Sequence, residues 1–331
     1  MILSTIYLHV GPHKTGTTYL QTLWEKCPEE LKKHNLVYPK VFYMAKGQHH
    51  LVTHIRHDIK GESFHKEISF LNNITEDIII SSENFSILTK KEFEELRHIF
   101  KNKKIKVIYY FRTPTLRFIS KWQETIKHGE TESFFEYYTK HSIKPLNSTE
   151  LNPLLILQIL SEVFGKNNLY IIDYQRAYSN QAMMKEFEKV MNKKDVIADV
   201  DMTVNVMADL VDIEVLRLLN HKAMTDGLLQ GSNIRELFYM LLRKEKIDMS
   251  KVKEKISKYL TSIVFGNTFI DRHVYFKLKK QYSKNFVNEL SPTKDKKYQL
   301  INDKYMMDEG IMVEINHIYD VLSEHMEKST N

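Results

Sequence analysis

A short segment between residues 11 and 18 combines residue types that bind phosphate-like anions. Gly11 and Gly16 flank Lys14, and Thr15, Thr17 and Thr18 lie where a helix is predicted to begin. Glycine lets the backbone wrap around an anion with its N–H groups turned inward. The helix N-terminus adds partial positive charge, Lys14 a full charge, and the hydroxyls further donors. The segment therefore predicts an anion cradle.

The cradle differs from the nucleoside-triphosphate loop of kinases. Gly11 and Gly16 have the required spacing, but Thr-Thr follows Gly16 where that loop has Lys-Ser or Lys-Thr. No aspartate follows a strand where it would hold Mg²⁺. A nucleotide-dependent kinase stays an alternative, as does an ordinary tight turn between a strand and a helix.

The elements that must position the cradle alternate between strands and helices. Apolar, β-branched runs predict buried parallel strands over Thr5–Val10, Asp77–Ser81, Lys106–Phe111 and Leu169–Asp173. Helices are predicted over Thr17–Lys26, from a capping box at Thr89 and Glu92 to about Phe100, and from Thr113 as N-cap and Pro114 to about His128. This alternation predicts an α/β fold with three layers around a central parallel sheet.

The pattern changes after about Ser179, where only helices are predicted. Their ranges are Ala208–His221, Ile234–Lys244, Lys251–Phe265 and His273–Leu290. No internal repeat or Pro/Gly/Ser linker interrupts the chain. We therefore expect one domain over residues 1–331, with a sheet core over 1–178 and a helical part over 179–331 packed on it.

Composition excludes several classes of protein. With 42% hydrophobic and 27% charged residues in 331, the chain is not globally disordered. The single cysteine, Cys27, forms no internal disulfide and no cysteine-based metal site, and we expect no metal. A net charge of +6 is modest and suits small anionic ligands or acidic glycans as well as nucleic acid, which we do not expect as a partner. The sequence shows neither an apolar run of about 18 residues, which would predict a membrane-spanning helix, nor a basic leader, which would predict secretion. We therefore expect a cytoplasmic protein.

The cradle resembles a known family. Lys-Thr-Gly-Thr-Thr over residues 14–18, directly after a first strand, resembles the 5′-phosphosulfate loop of sulfotransferases that use 3′-phosphoadenosine 5′-phosphosulfate (PAPS). The longer string from His9 to Gln21 is similar to the bacterial branch, many of whose members sulfate glycans. The resemblance implies a P-loop-like fold and a PAPS site made by Gly11, His13, Lys14, Thr15, Gly16, Thr17 and Thr18.

A second motif supports the resemblance about 100 residues later. Arg112 ends a predicted strand and Ser120 follows eight positions on, as in the family's 3′-phosphate site. Tyr174 resembles the tyrosine that contacts adenine. Thr113 stands where bacterial relatives often have a second arginine, and Gln175 where the usual residue is glutamate. Val204, Asn205 and the helix through Asn220 are also similar to bacterial members, with no role implied.

The sequence offers two candidates for the group that accepts the proton, a glutamate and a histidine. Glu83 follows the predicted strand Asp77–Ser81, at the position where cytosolic relatives carry their catalytic histidine. We expect Glu83 to act as the base and Lys14 to supply positive charge at the breaking bond. His50 and its neighbour His49 are the competing candidates, and at most one acts because adjacent side chains point in different directions.

These residues predict a PAPS-dependent sulfotransferase. It would transfer a sulfuryl group in line to a hydroxyl of a glycan or glycolipid, releasing 3′,5′-ADP without a metal. A kinase, and a non-enzymatic protein that binds anions or nucleic acid, are the alternatives. The sequence carries no specificity code for the acceptor, which we expect to contact residues 40–75 and the helical half, and it does not determine the oligomeric state.

Overall fold

The computed structural model describes residues 4–198, 209–227 and 232–330. Contacts divide the chain into two compact units, each assembled from separate stretches of sequence. The first unit comprises Met1–Arg117, Thr149–Asn205 and Phe269–Thr293, and the second comprises Phe118–Ser148, Val206–Thr268 and Lys294–Asn331. Every candidate site residue except Ser120 belongs to the first unit.

The described residues form seven strands and fifteen α-helices, which alternate along the first half of the chain. The strands are β1 (Thr5–His9), β2 (Leu36–Val37), β3 (Asp77–Ser81), β4 (Lys104–Phe111), β5 (Leu169–Asp173), β6 (Leu260–Phe265) and β7 (Lys296–Ile301). The helices are α1 (Thr17–Lys26), α2 (Pro28–Lys33), α3 (His49–Arg56), α4 (Glu62–Asn73), α5 (Lys90–Ile99), α6 (Pro114–Lys127), α7 (Phe134–Ser142), α8 (Leu154–Phe164), α9 (Tyr174–Ser179), α10 (Met183–Met191), α11 (Leu210–Asp226), α12 (Ser232–Arg243), α13 (Ser250–Ser257), α14 (Phe269–Tyr282) and α15 (Glu309–Thr330). Short 3₁₀ helices span Glu83–Ile87, Lys166–Asn168, Ser283–Asn285 and Asp303–Met307.

The first unit is built on a five-stranded parallel sheet. Its strand order is β2-β3-β1-β4-β5, so all four predicted strands are present and the two-residue β2 is added at one edge. The register pairs His9 with Ser81 on one side and with Ile108 on the other. Because the strands are parallel, their carboxyl ends meet at one edge, where ligands of open α/β sheets bind.

Helices cover both faces of this sheet. On one face Tyr7, Ile79 and Ile108 pack with Trp24 of α1 and Phe187 of α10 in a single buried cluster. On the other face α8 packs against β4 and β5, and α5 packs on α8. Strands buried on both faces explain the continuous apolar runs in the sequence. The predicted three-layer α/β fold is confirmed.

Two predicted helix starts are seen in detail. At α5 the capping box is complete, since Thr89 accepts from the Glu92 N–H and the Glu92 carboxylate accepts from the Thr89 N–H. At α6 the helix begins at Pro114 as predicted, but the Thr113 hydroxyl bonds to the Gln175 side-chain oxygen at 3.2 Å. That partner comes from a distant segment, which local sequence does not show.

The prediction of helices alone after Ser179 is wrong in the second unit. The predicted helix Lys251–Phe265 ends at Ser257, and its last residues form β6, which pairs antiparallel with β7 from Leu260 opposite Ile301 to Phe265 opposite Lys296. The β-branched residues at 261, 263 and 264 suit a strand. The partner strand lies about 30 residues away, and pairing with it overrides the helical spacing of the segment.

The predicted helix His273–Leu290 is also wrong at both ends. The structure places α14 at Phe269–Tyr282. After it, the Val287 N–H donates to the Ile171 carbonyl at 2.8 Å, and the Asn285 side-chain amide donates to the Leu169 carbonyl at 2.8 Å. These bonds to β5 hold residues 285–287 beside the strand, and a helix there would break them.

The second unit contains its own buried polar network. Arg217 bonds to Glu214 through Nη2 at 2.8 Å, and the Tyr305 hydroxyl donates to the same carboxylate. Asn220 donates to the carbonyls of Ile126 and Glu130 at 2.8 and 3.0 Å, a structural role for this residue. Positions 204 and 205 lie outside the described residues. No helix in the described part of the chain is long and apolar enough to cross a membrane.

Candidate functional site

The loop between β1 and α1 has a constrained backbone. The Val10 N–H still bonds to the Ile108 carbonyl at 2.9 Å, and the chain then leaves the sheet. Lys14 and Gly16 both take the left-handed conformation, with φ of 69° and 79°. Glycine does so freely, whereas a lysine in this region costs about 1–3 kcal/mol, and such strain clusters at ligand sites.

Two buried polar atoms face this loop without a partner. His9 Nε2 and Thr17 Oγ1 make no hydrogen bond within the described residues. A Cβ atom at Gly11 would lie 2.9 Å from Thr17 Oγ1 and 3.1 Å from His9 Nε2, so both atoms lie against the Gly11 backbone. Buried polar groups in native proteins are nearly always paired. Two such atoms therefore lie together at the predicted cradle.

His9 is held neutral by its surroundings. Its ring lies edge-on to Trp24, Tyr110 and Phe187, with ring centroids 5.3–6.0 Å away. Burial in this apolar cage lowers the pKa of His9 from 6.5 to about 3. At neutral pH the ring therefore carries one N–H and one lone pair, and it adds no charge to the loop.

The second motif meets the loop directly. Arg112 follows β4, and its Nη1 donates to the Lys14 carbonyl at 2.8 Å. The Arg112 guanidinium also lies over the Tyr174 ring, 5.3 Å from its centroid. Tyr174 in turn packs beside Gly16, where a Cβ would lie 3.3 Å from the ring and 2.7 Å from the Met183 methyl group. The structure therefore brings Lys14, Gly16, Arg112 and Tyr174 together.

Thr113, after β4, and Gln175, after β5, contact each other. The Gln175 side-chain oxygen accepts from the Thr113 N–H at 3.1 Å, beside its contact with the Thr113 hydroxyl. A neutral pair thus joins the ends of β4 and β5. The neighbouring Asp173 caps α9 by accepting from the Arg176 N–H at 2.8 Å, and burial raises the pKa of Asp173.

A second cluster of polar side chains lies at the end of β3, with Ser81 at its centre. The Ser81 hydroxyl contacts His9 Nδ1 at 2.9 Å and accepts from the Gln21 side-chain amide at 3.1 Å. The Ser81 backbone is bound at both ends by Gln48, since its N–H donates to Gln48 Oε1 at 2.8 Å and its carbonyl accepts from the Gln48 N–H at 2.9 Å. We call Gln21, Gln48, His49, Ser81, Ser82 and Glu83 the β3-end network.

Glu83 is the carboxylate of this network. It opens the 3₁₀ helix Glu83–Ile87, and its side chain is 18% exposed. Its Oε2 lies 3.4 Å from the Gln21 amide nitrogen and 3.7 Å from His49 Nε2. The two candidate bases that sequence reasoning set against each other, Glu83 and a histidine, are therefore neighbours.

His49 contacts the network through its Nδ1 atom and is neutral. Ser82 Oγ accepts from the Asn84 N–H at 3.1 Å and lies 2.7 Å from His49 Nδ1. A hydroxyl oxygen has one hydrogen to donate and two lone pairs to accept with, so these contacts suit either neutral tautomer of His49. Burial lowers the pKa of His49, and the Glu83 carboxylate opposes that shift without reversing it. His49 is consequently neutral at neutral pH.

His50 lies outside the β3-end network. Its side chain is exposed, and its ring stands edge-on to His54 with centroids 6.3 Å apart. Residues next to each other on a helix point about 100° apart, so α3 cannot turn both histidines towards Glu83. Of the two, the structure brings His49 to the carboxylate.

The segment before α3 closes over the network. A Cβ at Gly47 would lie 2.7 Å from the Gln21 amide nitrogen, 2.9 Å from His49 Nε2 and 2.9 Å from the Ser81 carbonyl. Only glycine allows this approach. Within the same segment Phe42, Ala45 and Lys46 have positive φ values of 51°, 46° and 77°. The backbone is thus strained beside Glu83 as well as beside the loop.

The remaining predicted site residues have these positions. Thr15 is buried and donates its hydroxyl hydrogen to the Pro12 carbonyl at 2.7 Å, so that hydrogen is used within the loop. His13 and Thr18 are half-buried in the loop and at the start of α1. Ser120 is half-buried in α6 and belongs to the second unit.

Sequence reasoning gave no role to His9, Gln21, Gln48 or Ser81. A signal was present, because His9 and Ser81 are the last residues of two strands that pair in parallel, and both are polar after apolar runs. Gln21 and Gln48 join them only through tertiary structure. Within residues 4–198, 209–227 and 232–330, no group of three or more His, Cys, Asp or Glu side chains could hold a metal ion.

Comparisons with known proteins add a distant structural likeness. No family model and no curated protein sequence matches the chain. Among solved structures, the crystal structure of a sulfotransferase from Alicyclobacillus acidocaldarius is similar, with a TM-score of 0.43 and 13% identity over 68% of this chain and 96% of that one. A likeness at this level establishes neither family nor activity.

Proposed function

We propose that this protein is a PAPS-dependent sulfotransferase that transfers a sulfuryl group to a hydroxyl of a glycan or glycolipid. The observation that carries the proposal is the contact between two motifs about 100 residues apart. Arg112, expected at the 3′-phosphate, bonds to the backbone of Lys14, expected at the phosphosulfate, with Nη1 2.8 Å from the carbonyl oxygen. β1 and β4 are adjacent parallel strands, so both motifs lie at the edge where open α/β sheets bind ligands.

The residues at this edge fit the chemistry of such a nucleotide. The loop offers backbone N–H groups at the start of α1, the charge of Lys14, and the unpartnered Thr17 Oγ1 and His9 Nε2. Arg112 suits a phosphate because its planar guanidinium binds two oxygens at once. Tyr174 presents an aromatic ring next to Arg112, which suits a base.

When bound, PAPS supplies the sulfuryl group. In this proposal Gly11, His13, Lys14, Thr15, Gly16, Thr17 and Thr18 hold its 5′ end. Arg112 holds its 3′-phosphate, and Tyr174 lies against adenine. Lys14 provides the positive charge that stabilises the oxygen on which negative charge develops. The product is 3′,5′-ADP, and no residue in this scheme binds a metal.

Glu83 takes the proton of the acceptor hydroxyl on a carboxylate oxygen. Its 18% exposed side chain is more accessible than that of His49, which is 6% exposed. The Gln21 side-chain amide donates to the carboxylate at 3.4 Å, and His49 Nε2 lies 3.7 Å from the same oxygen. Because burial keeps His49 neutral, it orients Glu83 without neutralising it. His49 is thus a positioning residue in this scheme.

Transfer of labelled sulfuryl from PAPS to a panel of carbohydrate acceptors tests the proposal. Thermal shift separates it from the alternatives, since a ligand at 100 times its dissociation constant stabilises a protein by about 2.7 kcal/mol. Stabilisation by 3′,5′-ADP without metal is the expected result. Stabilisation by Mg-ATP alone would favour a kinase, and no response to either nucleotide would favour a non-enzymatic anion-binding protein.

A further inference from the structure

Helix α14 presents an unusual outer face. Phe269 and Phe276 are 64% and 67% exposed, and they lie seven positions apart on one stripe of the helix. Together with the side chains around them they form what we call the α14 ridge: Phe269, Arg272, His273, Phe276, Lys277 and Lys280. These side chains line a shallow cavity of about 400 Å³. The ridge therefore combines exposed aromatic surface with cations.

The opposite face of α14 fixes the helix in the first unit. Ile270, Val274, Leu278 and Tyr282 are buried. Asp271, the only carboxylate of the helix, is 1% exposed and accepts from the N–H and hydroxyl of Thr115 at 3.1 and 2.6 Å. The ridge thus carries no negative side chain of its own helix, and it belongs to a firmly packed element.

The arrangement of charges around the rings is specific. At 100° per residue, Phe269, Phe276 and Lys280 point directly away from the buried face. Arg272 and Lys279 lie on one side of this line, and Lys277 on the other. The two rings are about 10 Å apart along the axis, two helical turns. Exposed aromatic rings with cations beside them are a feature of helices that lie in the interface of a membrane.

We propose that the α14 ridge binds the surface of a bilayer containing anionic lipids. Phe269 and Phe276 enter the boundary between headgroups and acyl chains, and the flanking cations meet lipid phosphates and carboxylates. A polyanion dissolved in water would pair with the cations but would leave both rings in water. An apolar medium removes that surface from water, which is favourable. This proposal is independent of the sulfotransferase proposal.

Vesicle flotation of the full chain tests the proposal. The protein is mixed with phosphatidylcholine vesicles, with or without phosphatidylserine, at low and high salt. Binding is expected only to the anionic vesicles and is expected to weaken with salt, because the attraction acts within a Debye length. The Lys277→Gln/Lys280→Gln variant should lose about 25-fold in partitioning, from roughly fivefold per cation. Phe269→Ser/Phe276→Ser should lose at least about tenfold.

Control variants at other positions test whether vesicle binding depends on the ridge or on exposed lysines and aromatic rings in general. Lys251→Gln/Lys258→Gln removes two exposed lysines at α13, and Phe70→Ser removes a ring on α4 that is 53% exposed. Both should bind as the wild type does. Equal binding by the ridge variants, or no binding of the wild type to anionic vesicles, overturns the proposal. Binding to a sulfated polysaccharide or to nucleic acid without vesicle binding overturns it as well.

Discussion

The loop after β1 and the β3-end network share one edge of the sheet but differ in how the sequence encodes them. The loop is a contiguous run of residues whose types and spacing state its chemistry. The network is assembled from α1, the start of α3 and the end of β3, and each of its residues alone is ordinary. A contiguous motif is visible in one sequence, whereas a site made by tertiary contacts needs the structure.

The two regions also differ in charge. The loop side carries the cations Lys14 and Arg112, while the network carries one carboxylate, Glu83, beside a neutral histidine. Ser81 connects the two sides, since its hydroxyl touches both His9 and Gln21. This division suits a group transfer in which one side stabilises the departing anion and the other receives a proton.

The largest expected effect is on the network side. Glu83→Gln keeps the shape and hydrogen bonding of the side chain but removes its ability to accept a proton. Turnover should fall by about 10²–10⁴-fold in the labelled-PAPS assay, because that is the usual contribution of a general base. Affinity for 3′,5′-ADP should be nearly unchanged, since Glu83 faces the acceptor in this account.

His50→Ala is the control for Glu83, because the exposed His50 lies outside the network. It should keep wild-type turnover. If Glu83→Gln retains most of the activity while His49→Ala or His50→Ala abolishes it, the base is that histidine. The loop assignment would survive this outcome, because it depends on different residues.

On the loop side, Lys14→Met removes a charge while keeping the length of the side chain. Turnover should fall by about 10²-fold, the size of effect seen when one group that stabilises a developing anion is removed. Affinity for 3′,5′-ADP should change little. Lys26→Met, at the exposed end of α1, is the matched control and should leave turnover unchanged. Parallel loss of affinity and turnover in Lys14→Met would show that Lys14 only binds the nucleotide.

A smaller effect concerns His9, which lies between the two regions. Its pKa is about 3 in the folded chain against an ordinary value of 6.5. Between these values the unfolded chain binds a proton that the folded chain does not, so stability falls as pH falls below 6.5, by up to about 1.4 kcal/mol per pH unit. His9→Asn should flatten this decline in urea unfolding, and the 61% exposed His128, replaced by Asn, should not. An unchanged slope in His9→Asn contradicts the burial of a neutral ring.

The fold was predictable where its signals are local. The apolar runs gave the four longer strands of the parallel sheet, and Thr89 with Glu92 gave the start of α5. Local signals fail where a distant partner decides the structure. The segment Leu260–Phe265 pairs with β7, and residues 285–287 bond to β5 in place of extending α14.

The same distinction applies to the site. The sequence singled out Lys14, Arg112 and Tyr174 separately, and the structure places them in contact. It also joins Thr113 to Gln175, two residues that looked unrelated along the chain. A single sequence shows each of these two residues but not their contact.

Calorimetry with 3′,5′-ADP in the absence of metal tests the central claim most directly. The wild type should bind this nucleotide, and Arg112→Ala should weaken binding by about 10- to 100-fold, the 1.5–3 kcal/mol of a lost hydrogen bond to a charged group. Arg97→Ala, on the exposed side of α5, should bind as the wild type does. Failure of the wild type to bind 3′,5′-ADP, or equal affinity in Arg112→Ala, would contradict the assignment of this strand edge as a PAPS site.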